Sequence, residues 1–177
     1  GYGSKLAVAL TNAASDAKSA DATIPATMSP MGGVALYNTE YVDSLNLVVL
    51  YAEREWREHI DIEGYMSKNG LKGVKYVALF DYGVAGNMRG GDLLWIAAAN
   101  TDPKRDIRFA GDVMIIDARS KRPGYGDNPK RFPNAVTSSP ETIALVNDRW
   151  AEYGLGDMVE SPSRRYRKIL LSDGAEW

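Results

Sequence analysis

Three apolar runs of strand length dominate the pattern of hydrophobic and polar positions along the chain. Residues 45–51, 74–80 and 112–117 combine β-branched or aromatic side chains with few charges. Near-continuous apolar runs of this length are typical of strands that are covered on both faces. We therefore expect three central strands, and we expect two shorter strands from the weaker patterns at residues 6–10 and 34–37.

A charged helical pattern follows the first central run. Residues 53–67 place Trp56, Ile60 and Met66 on one apolar stripe, with charged side chains around the rest of the helix. The pair Asn69-Gly70 suits a left-handed helix end, because glycine adopts positive φ without steric cost. The sequence therefore predicts a helix between the first two central strands.

A second helix is predicted between the second and third runs. Asp92 is a good N-cap for a helix over residues 93–99, since its carboxylate can accept hydrogen bonds from first-turn amides. The helix should stop at residues 100–103, because the residue before Pro103 is pushed out of the α region. A glycine-rich loop at residues 83–91 leads into this helix.

A last helix is signalled by a capping box. Ser138 and Glu141 have the spacing of such a pair, and Pro140 falls in the first turn. Gly154 supplies the C-cap. The apolar face of this helix is expected to comprise Ile143, Val146, Trp150 and Tyr153.

The order strand–helix–strand–helix–strand defines the expected fold class. We expect an α/β protein, a single three-layer domain with a mixed or mostly parallel sheet flanked by helices. Residues 1–43 read as a poorly structured or extended segment and residues 44–156 as the α/β domain. Residues 157–177 form a basic tail suited to dimer or interdomain contacts.

Composition narrows the classes of function. The chain has 177 residues, a net charge of -2 and no cysteine. Disulfides, thiolate nucleophiles and cysteine-bound metals are thereby excluded, and the balanced charge argues against nucleic acid as the main partner. No apolar run reaches the roughly eighteen residues of a membrane span. The lack of cysteine fits a reducing compartment, so we expect a cytoplasmic protein.

Several local patterns could carry chemistry, but each has a simpler structural interpretation. The loop at residues 83–91 lacks a phosphate-binding spacing, so a flexible turn is favoured. Glu55 and His59 could share a helix face, yet two ligands do not make a metal site. His59 is the only histidine, and no Gly-x-Ser-x-Gly elbow accompanies it, which excludes a serine hydrolase triad.

Acidic and basic side chains leave two further alternatives open. Acid–base chemistry could use an aspartate after a buried strand, but capping of neighbouring elements is the favoured interpretation. The basic stretch at residues 119–131 could attract phosphate or RNA, although a solvated loop or subunit contact is favoured. The aspartates considered for acid–base work are Asp81, Asp102, Asp106, Asp112 and Asp117.

Four features, in the order in which they occur along the chain, resemble the C-terminal domain of the UbiD family of prenylated-flavin-dependent decarboxylases. The resemblance covers roughly residues 45–156, and the arginine often found before the Asp-Pro turn in the family is replaced near Asn100. The acidic run that often follows the second strand is shortened to Asp81-Tyr82-Gly83. The features are a strand ending in Asp81, a Trp95 helix leading into Asp102-Pro103-Lys104-Arg105-Asp106, a Gly111-led strand ending in Asp117-Ala118 with Lys121 shortly after, and a closing helix over residues 146–155.

The resemblance implies reversible, non-oxidative decarboxylation of an aromatic or α,β-unsaturated acid. In the family, prenylated FMN, manganese, potassium and the catalytic residues sit on a larger N-terminal domain, and no catalytic, cofactor-binding or metal-binding residue carries over to this chain. The resemblance implies that this domain supplies a substrate-pocket wall, domain motion and oligomer contacts. By position, that wall would comprise Leu71, Lys72, Ile107 and Phe109.

The sequence thus predicts a domain or subunit whose chemistry needs a partner. The expected partner is a flavin-binding N-terminal domain or catalytic subunit, and the isolated chain is expected to be inactive and to form a homo-oligomer. Two alternatives stay open. One is a non-catalytic assembly subunit of a multi-subunit carboxylase or decarboxylase, and the other is an unrelated small α/β binding protein.

Overall fold

The structure, a computed structural model, describes residues 22–53, 60–86, 88, 90–121 and 133–170. The chain divides into two compact units, Gly1–Lys121 and Arg122–Trp177. The described part of the first unit contains a sheet with helices, and that of the second unit contains helical turns. No helix in the described ranges is long and apolar enough to cross a membrane.

The first unit is built on a five-stranded mixed sheet with strand order β1-β2-β3-β5-β4. The three central strands are parallel to one another, and both edge strands run antiparallel to their neighbours. This arrangement confirms the expected α/β class with a mixed sheet flanked by helices. The strands are β1 (Val34–Asn38), β2 (Leu47–Ala52), β3 (Tyr76–Asp81), β4 (Ile107–Ala110) and β5 (Val113–Asp117).

The three central apolar runs form strands β2, β3 and β5, each displaced by one or two residues from its predicted start. The predicted start of β2 is wrong because Leu45 ends a short helix, α1 (Val42–Leu45), and the left-handed Asn46 with φ 51° reverses the chain before the strand. The weaker pattern at residues 34–37 corresponds to β1. The predicted strand at residues 6–10 lies outside the described residues.

The charged helix between β2 and β3 is shorter than predicted. The described helix, α2 (Ile62–Asn69), begins where the Asp61 side chain accepts a hydrogen bond from the Gly64 amide. Ile60 therefore precedes the helix instead of sharing its stripe, and Trp56 lies outside the described residues. The predicted end is confirmed, since Gly70 is left-handed with φ 67°.

The glycine-rich segment before the next helix is partly helical. Residues Tyr82–Ala85 form α3, and Gly90–Asn100 form α4. The prediction that Asp92 is the N-cap is wrong, because the helix starts two residues earlier and places Asp92 in its first turn. A carboxylate there still interacts favourably with the exposed amides of the helix start.

The Asp-Pro turn is a short helix followed by a strand that the pattern did not reveal. Asp102 caps α5 (Pro103–Asp106) by accepting from the amides of Lys104 and Arg105. Strand β4 follows directly and pairs with β5 through a two-residue turn at residues 111–112. β4 has only four residues and includes Arg108, so it lacks the apolar run that marks the central strands.

One face of the sheet packs against α2. Alternate residues of a strand point to the same face, and the buried side chains of β2, β3 and β5 on this face meet Ile62 and Tyr65 of the helix. Leu71 and Val74, from the connection between α2 and β3, belong to the same cluster. The strand residues in this cluster are Val34, Val48, Leu50, Ala52, Val77, Leu79 and Ile115.

The second unit begins, among described residues, with a capped helix. Helix α6 (Pro140–Asp148) is capped by Ser139, whose hydroxyl accepts from the Thr142 amide at 3.1 Å. The predicted cap, Ser138, is therefore one residue early. Gly154 is left-handed with φ 65°, but it ends a 3-10 turn; the prediction that it caps the helix is wrong, because α6 ends at Asp148. Further elements are a 3-10 turn at Trp150–Tyr153, helix α7 (Ser163–Tyr166) and a 3-10 turn at Arg167–Ile169.

The predicted apolar face of the last helix is only partly buried. Ile143 is 4 % exposed, whereas Val146 and Tyr153 are 36 % and 41 % exposed. Trp150 lies in the 3-10 turn, and its indole nitrogen donates to the carbonyl of Gly156 at 2.9 Å. The pattern therefore located the start of the helix to within one residue, but it extended the helix past Asp148 and overstated how much of it is covered within the described part of this unit.

Candidate functional site

A buried group of charged side chains lies where β3 and β5 end. Asp81 and Asp117 are the last residues of two neighbouring parallel strands. Two cations that follow β5, Arg119 and Lys121, are 2 % and 0 % exposed, and Asp106 of α5 is 5 % exposed. We call these five residues, Asp81, Asp106, Asp117, Arg119 and Lys121, the ionic cluster.

Asp117 is the acceptor for both cations. Arg119 donates from Nε to Oδ1 at 3.0 Å and from a terminal nitrogen to Oδ2 at 2.7 Å. Its backbone amide also donates to Oδ1, at 3.1 Å. This two-point geometry between guanidinium and carboxylate is the strongest form of such a pair. It fixes the turn that follows β5.

Lys121 is satisfied by oxygens on all sides. Its Nζ donates to the carbonyls of Asp117 and Arg119, at 2.7 and 2.6 Å, and to Oδ1 of Asp117 at 3.3 Å. Oδ1 of Asp106 lies 3.8 Å away. Burial lowers the pKa of Lys121, and the Asp117 and Asp106 carboxylates oppose that shift. A fully buried ammonium with these partners is suited to holding structure, since it has no access to substrate.

Asp106 connects the cluster to the Asp-Pro turn. Arg105 binds both of its carboxylate oxygens, at 2.9 and 2.7 Å, and the Asp102 amide donates to Oδ2 at 2.8 Å. The hydrogen bond and charge of Asp106 raise the pKa of Arg105. The two aspartates of the turn thus have structural partners, Asp102 as a helix cap and Asp106 as the link to Lys121.

Asp81 connects the cluster to β3. Its Oδ2 accepts from the Ser120 amide at 2.7 Å. Burial raises the pKa of Asp81, while Ser120, Lys121 and Arg119 act in the opposite direction. Asp81 therefore stabilises the segment after β5, in agreement with the favoured sequence interpretation that the strand-end aspartates cap neighbouring elements.

The segment Asp117–Lys121 contacts the other elements that carry the sequence motifs. In addition to its ionic contacts, the Ala118 amide donates to the Leu79 carbonyl of β3 at 2.8 Å. The Asn100 side chain, from the end of α4, donates to the Ala118 carbonyl at 3.0 Å. Within five residues the chain contacts β3, α4 and α5. The ionic cluster is thus a joint that fixes these elements to one another.

Sequence reasoning missed the burial of the two cations. Arg119 and Lys121 belong to a stretch that was expected to be a solvated loop or a subunit contact, and the solvated loop is wrong for both residues. Their partner Asp117 is only two and four residues away, so the spacing Asp-x-Arg-x-Lys after a buried strand was the available signal. The rest of the stretch, residues 122–131, lies outside the described residues, as do Glu55 and His59.

The residues predicted to form a substrate wall are placed on different faces of the sheet. Leu71 is 6 % exposed and belongs to the core cluster with Val77 and Ile115. Lys72 is exposed, and its backbone pairs with that of Thr23 through two hydrogen bonds. The exposed side chain of Lys72 is therefore the part of this loop that could meet a ligand.

Ile107 and Phe109 lie on the opposite face from Leu71. In the register of the sheet, Phe109 lies opposite Met114, Met114 lies opposite Tyr76, and Tyr76 lies opposite Leu47. Directly opposite residues on adjacent strands point to the same face, so these four side chains form a row across the sheet, which we call the open row. Phe109 is 67 % exposed and Tyr76 is 42 % exposed. Ile107 is half-buried and lies two residues along from Phe109 on the same face.

The described residues offer no donor set for the metal that the resemblance implies. No group of three or more His, Cys, Asp or Glu side chains in the described ranges could hold a metal ion. The buried carboxylates face ammonium and guanidinium groups instead. That manganese, potassium and prenylated FMN are held by another part of the protein stays a prediction, and we assign no chemical step to these residues through them.

Comparisons with known proteins give partial matches. No family model matches the chain. A protein of Aeropyrum pernix described as uncharacterized is 33% identical over 81 residues, covering 36% of this chain and 16% of that protein. The vanillic acid decarboxylase of Sedimentibacter hydroxybenzoicus, in its open form, aligns in structure with a TM-score of 0.43 at 15% identity. That alignment covers 71% of this chain and 30% of the decarboxylase chain. The chain thus spans less than a third of either protein.

Proposed function

We propose that this chain is the UbiD-like α/β part of a reversible, non-oxidative decarboxylase of aromatic or α,β-unsaturated acids. In this proposal the chemistry belongs to a flavin-binding domain or subunit that uses prenylated FMN, manganese and potassium. The chain contributes a pocket wall, domain motion and oligomer contacts. It is inactive alone and works in the cytoplasm.

The observation that carries the proposal is the convergence of motifs on the ionic cluster. Asp81, the Asp-Pro turn and the segment Asp117–Lys121 are separate in sequence and were matched to the family separately. In the fold they contact one another directly, through the Ser120 amide on Asp81 and through Lys121 beside Asp106. Residues that contact one another in this way are expected to occur together in related proteins. The presence of all of them in this chain therefore supports the proposed UbiD-like domain.

The open row supports the proposed wall. It places two exposed aromatic rings, Phe109 and Tyr76, on a sheet face beside Met114. Exposed aromatic side chains that are grouped together mark surfaces that bind apolar partners or ligands. An aromatic acid has an apolar ring that suits such a surface.

Assembly with a flavin-binding partner tests this proposal. The proposed partner is a flavin-binding domain or subunit, supplied as a separate protein. We would mix it with the 177-residue chain and measure mass and flavin absorbance by size-exclusion chromatography with light scattering. We expect one complex that carries the flavin absorbance, and a colourless chain when it is run alone with prenylated FMN. Stoichiometric flavin binding by the isolated chain would overturn the proposed division of roles.

A further inference from the structure

The cationic side chains in the described part of the second unit are concentrated near its C-terminal end. It contains five cationic and five anionic side chains, yet four of the cations fall within residues 164–168. Because these ten charges sum to zero, the local excess of positive charge at residues 164–168 results from this clustering. The cations are Arg149, Arg164, Arg165, Arg167 and Lys168, and the anions are Glu141, Asp148, Glu152, Asp157 and Glu160.

Three of these cations line one cavity. Its volume is about 610 Å³, and its lining combines Arg164, Arg165 and Lys168 with the side chains of Ser161 and Glu160 and with Pro162. Pro162 precedes α7, and the 3-10 turn Arg167–Ile169 continues it, so the segment stays helical through Lys168. Residues four apart on a helical segment lie on the same side. The fold thus places Arg164 and Lys168 together.

The remaining cation of the group faces elsewhere. Arg167 donates to the carbonyl of Ser138 at 3.4 Å, just before α6. This contact fixes the basic segment to the rest of its unit. Arg167 therefore has a structural role, and the described lining of the cavity has three cations and one anion, Glu160.

Two of the cavity cations have defined positions. The Arg165 guanidinium stacks 4.6 Å from the centre of the Tyr166 ring and donates to the Tyr166 hydroxyl. A nitrogen of Arg164 lies 3.5 Å from Oε1 of Glu160. Arg164 and Glu160 are 56% and 73% exposed, so this pair is weak and can rearrange around a ligand.

We propose that this cavity binds a phosphoryl group of a small soluble ligand. Guanidinium groups bind phosphate oxygens through two parallel hydrogen bonds, and Lys168 and the Ser161 hydroxyl add further donors. A diphosphate carries enough charge to engage all three cations, so it binds more tightly than a monophosphate. The site shares no residue with the ionic cluster and does not depend on the proposed decarboxylase role.

Calorimetric titration of the whole 177-residue chain with pyrophosphate tests the site. The double variant Arg164→Ala/Lys168→Ala should weaken binding about tenfold or more, because it removes two charge-assisted contacts. The matched control is Arg149→Ala, which removes a cation from the same unit that is 51% exposed and paired with Glu152. This control should leave the affinity within about twofold of the wild type.

Two further titrations test which chemical group the cavity recognises. Glu160→Gln should tighten pyrophosphate binding, since it removes an anion from the cavity lining. Citrate, a carboxylate of similar charge at neutral pH, should bind at least about fivefold more weakly at equal ionic strength, which separates phosphoryl recognition from attraction of any polyanion. No heat of binding for the wild type, or an equal loss in the Arg149→Ala control, would refute the site.

Discussion

The Nζ atom of Lys121 lies 2.7 Å from the carbonyl oxygen of Asp117 and 3.3 Å from Oδ1 of the same residue. This contact closes a four-residue turn at the end of a central strand while the lysine side chain is fully buried. A buried charge is tolerated only where its partners are in place. The stability of the first unit should therefore depend on this residue more than on any exposed lysine.

Replacement of Lys121 by methionine should destabilise the first unit. The variant keeps the length and apolar stem of the side chain but removes the ammonium that donates to the carbonyls of Asp117 and Arg119, while Asp106 and Asp117 each keep an arginine partner. We expect a loss of about 1–3 kcal/mol in the free energy of unfolding, the cost of leaving buried acceptors without a donor. Urea unfolding followed by circular dichroism measures it. Lys104→Met, on an exposed lysine, is the control and should change stability by less than about 0.5 kcal/mol.

Asp81 should make the stability of the first unit depend on pH. Burial raises its pKa above the ordinary value of an aspartate. As pH rises from the unfolded-state pKa through the folded-state pKa, the unfolded chain ionises first, so the contribution of Asp81 to stability falls. In Asp81→Asn this contribution is absent, while a side-chain oxygen can still accept from the Ser120 amide.

The free energy of unfolding of the wild type and of Asp81→Asn should therefore be compared from acidic to neutral pH. The stability of the wild type relative to Asp81→Asn should be greatest at the acidic end and should decrease towards neutral pH. Groups elsewhere in the chain cancel in this difference. A wild type that gains stability over the variant as pH rises would show that ionised Asp81 is favoured by Arg119 and Lys121 more than burial disfavours it.

Two adjacent serines allow a matched test of the cap of α6. Ser139→Ala removes the hydroxyl that accepts from the Thr142 amide and should cost about 1 kcal/mol. Ser138→Ala should be nearly neutral, because the contacts of Ser138 with Ser163 and Arg167 use its backbone atoms. Hydrogen exchange at the amides of residues 142 and 143 reports the difference. Equal exchange rates in the two variants would place the cap elsewhere.

Phe109 tests the proposed substrate wall. In the assembled enzyme, Phe109→Ser should raise KM for an aromatic acid about tenfold through the loss of an apolar contact of about 1–2 kcal/mol, with kcat little changed. The control is Leu94→Ser, another exposed apolar residue, on α4 and 52% exposed. A change in KM for both variants alike, or for neither, would remove Phe109 from the wall.

The central elements were predictable because their signals are local. The apolar runs that became β2, β3 and β5 and the left-handed ends at Gly70 and Gly154 depend on neighbouring residues alone. Helix starts were less predictable, since adjacent polar residues compete for the cap, as Ser138 and Ser139 do. Strand β4 was missed because an edge strand needs no continuous apolar run.

The ionic cluster was only partly predictable, for a different reason. The pairing of Arg119 with Asp117 is close in sequence, but the contact between Asp81 and Ser120 spans 39 residues. Burial of a charge follows from partners that the fold brings together, so composition alone indicated a solvated loop. The distribution of Leu71 and Phe109 over opposite faces likewise depends on strand register.

The most direct test of the central claim is the release of carbon dioxide from a panel of aromatic and α,β-unsaturated acids. The assay compares the 177-residue chain alone, the flavin-binding partner alone and both together, each with prenylated FMN, manganese and potassium. We predict turnover only when both parts are present. Turnover by the isolated chain would contradict the placement of the chemistry on the partner, and no turnover of any acid by the assembled proteins would contradict the decarboxylase function itself.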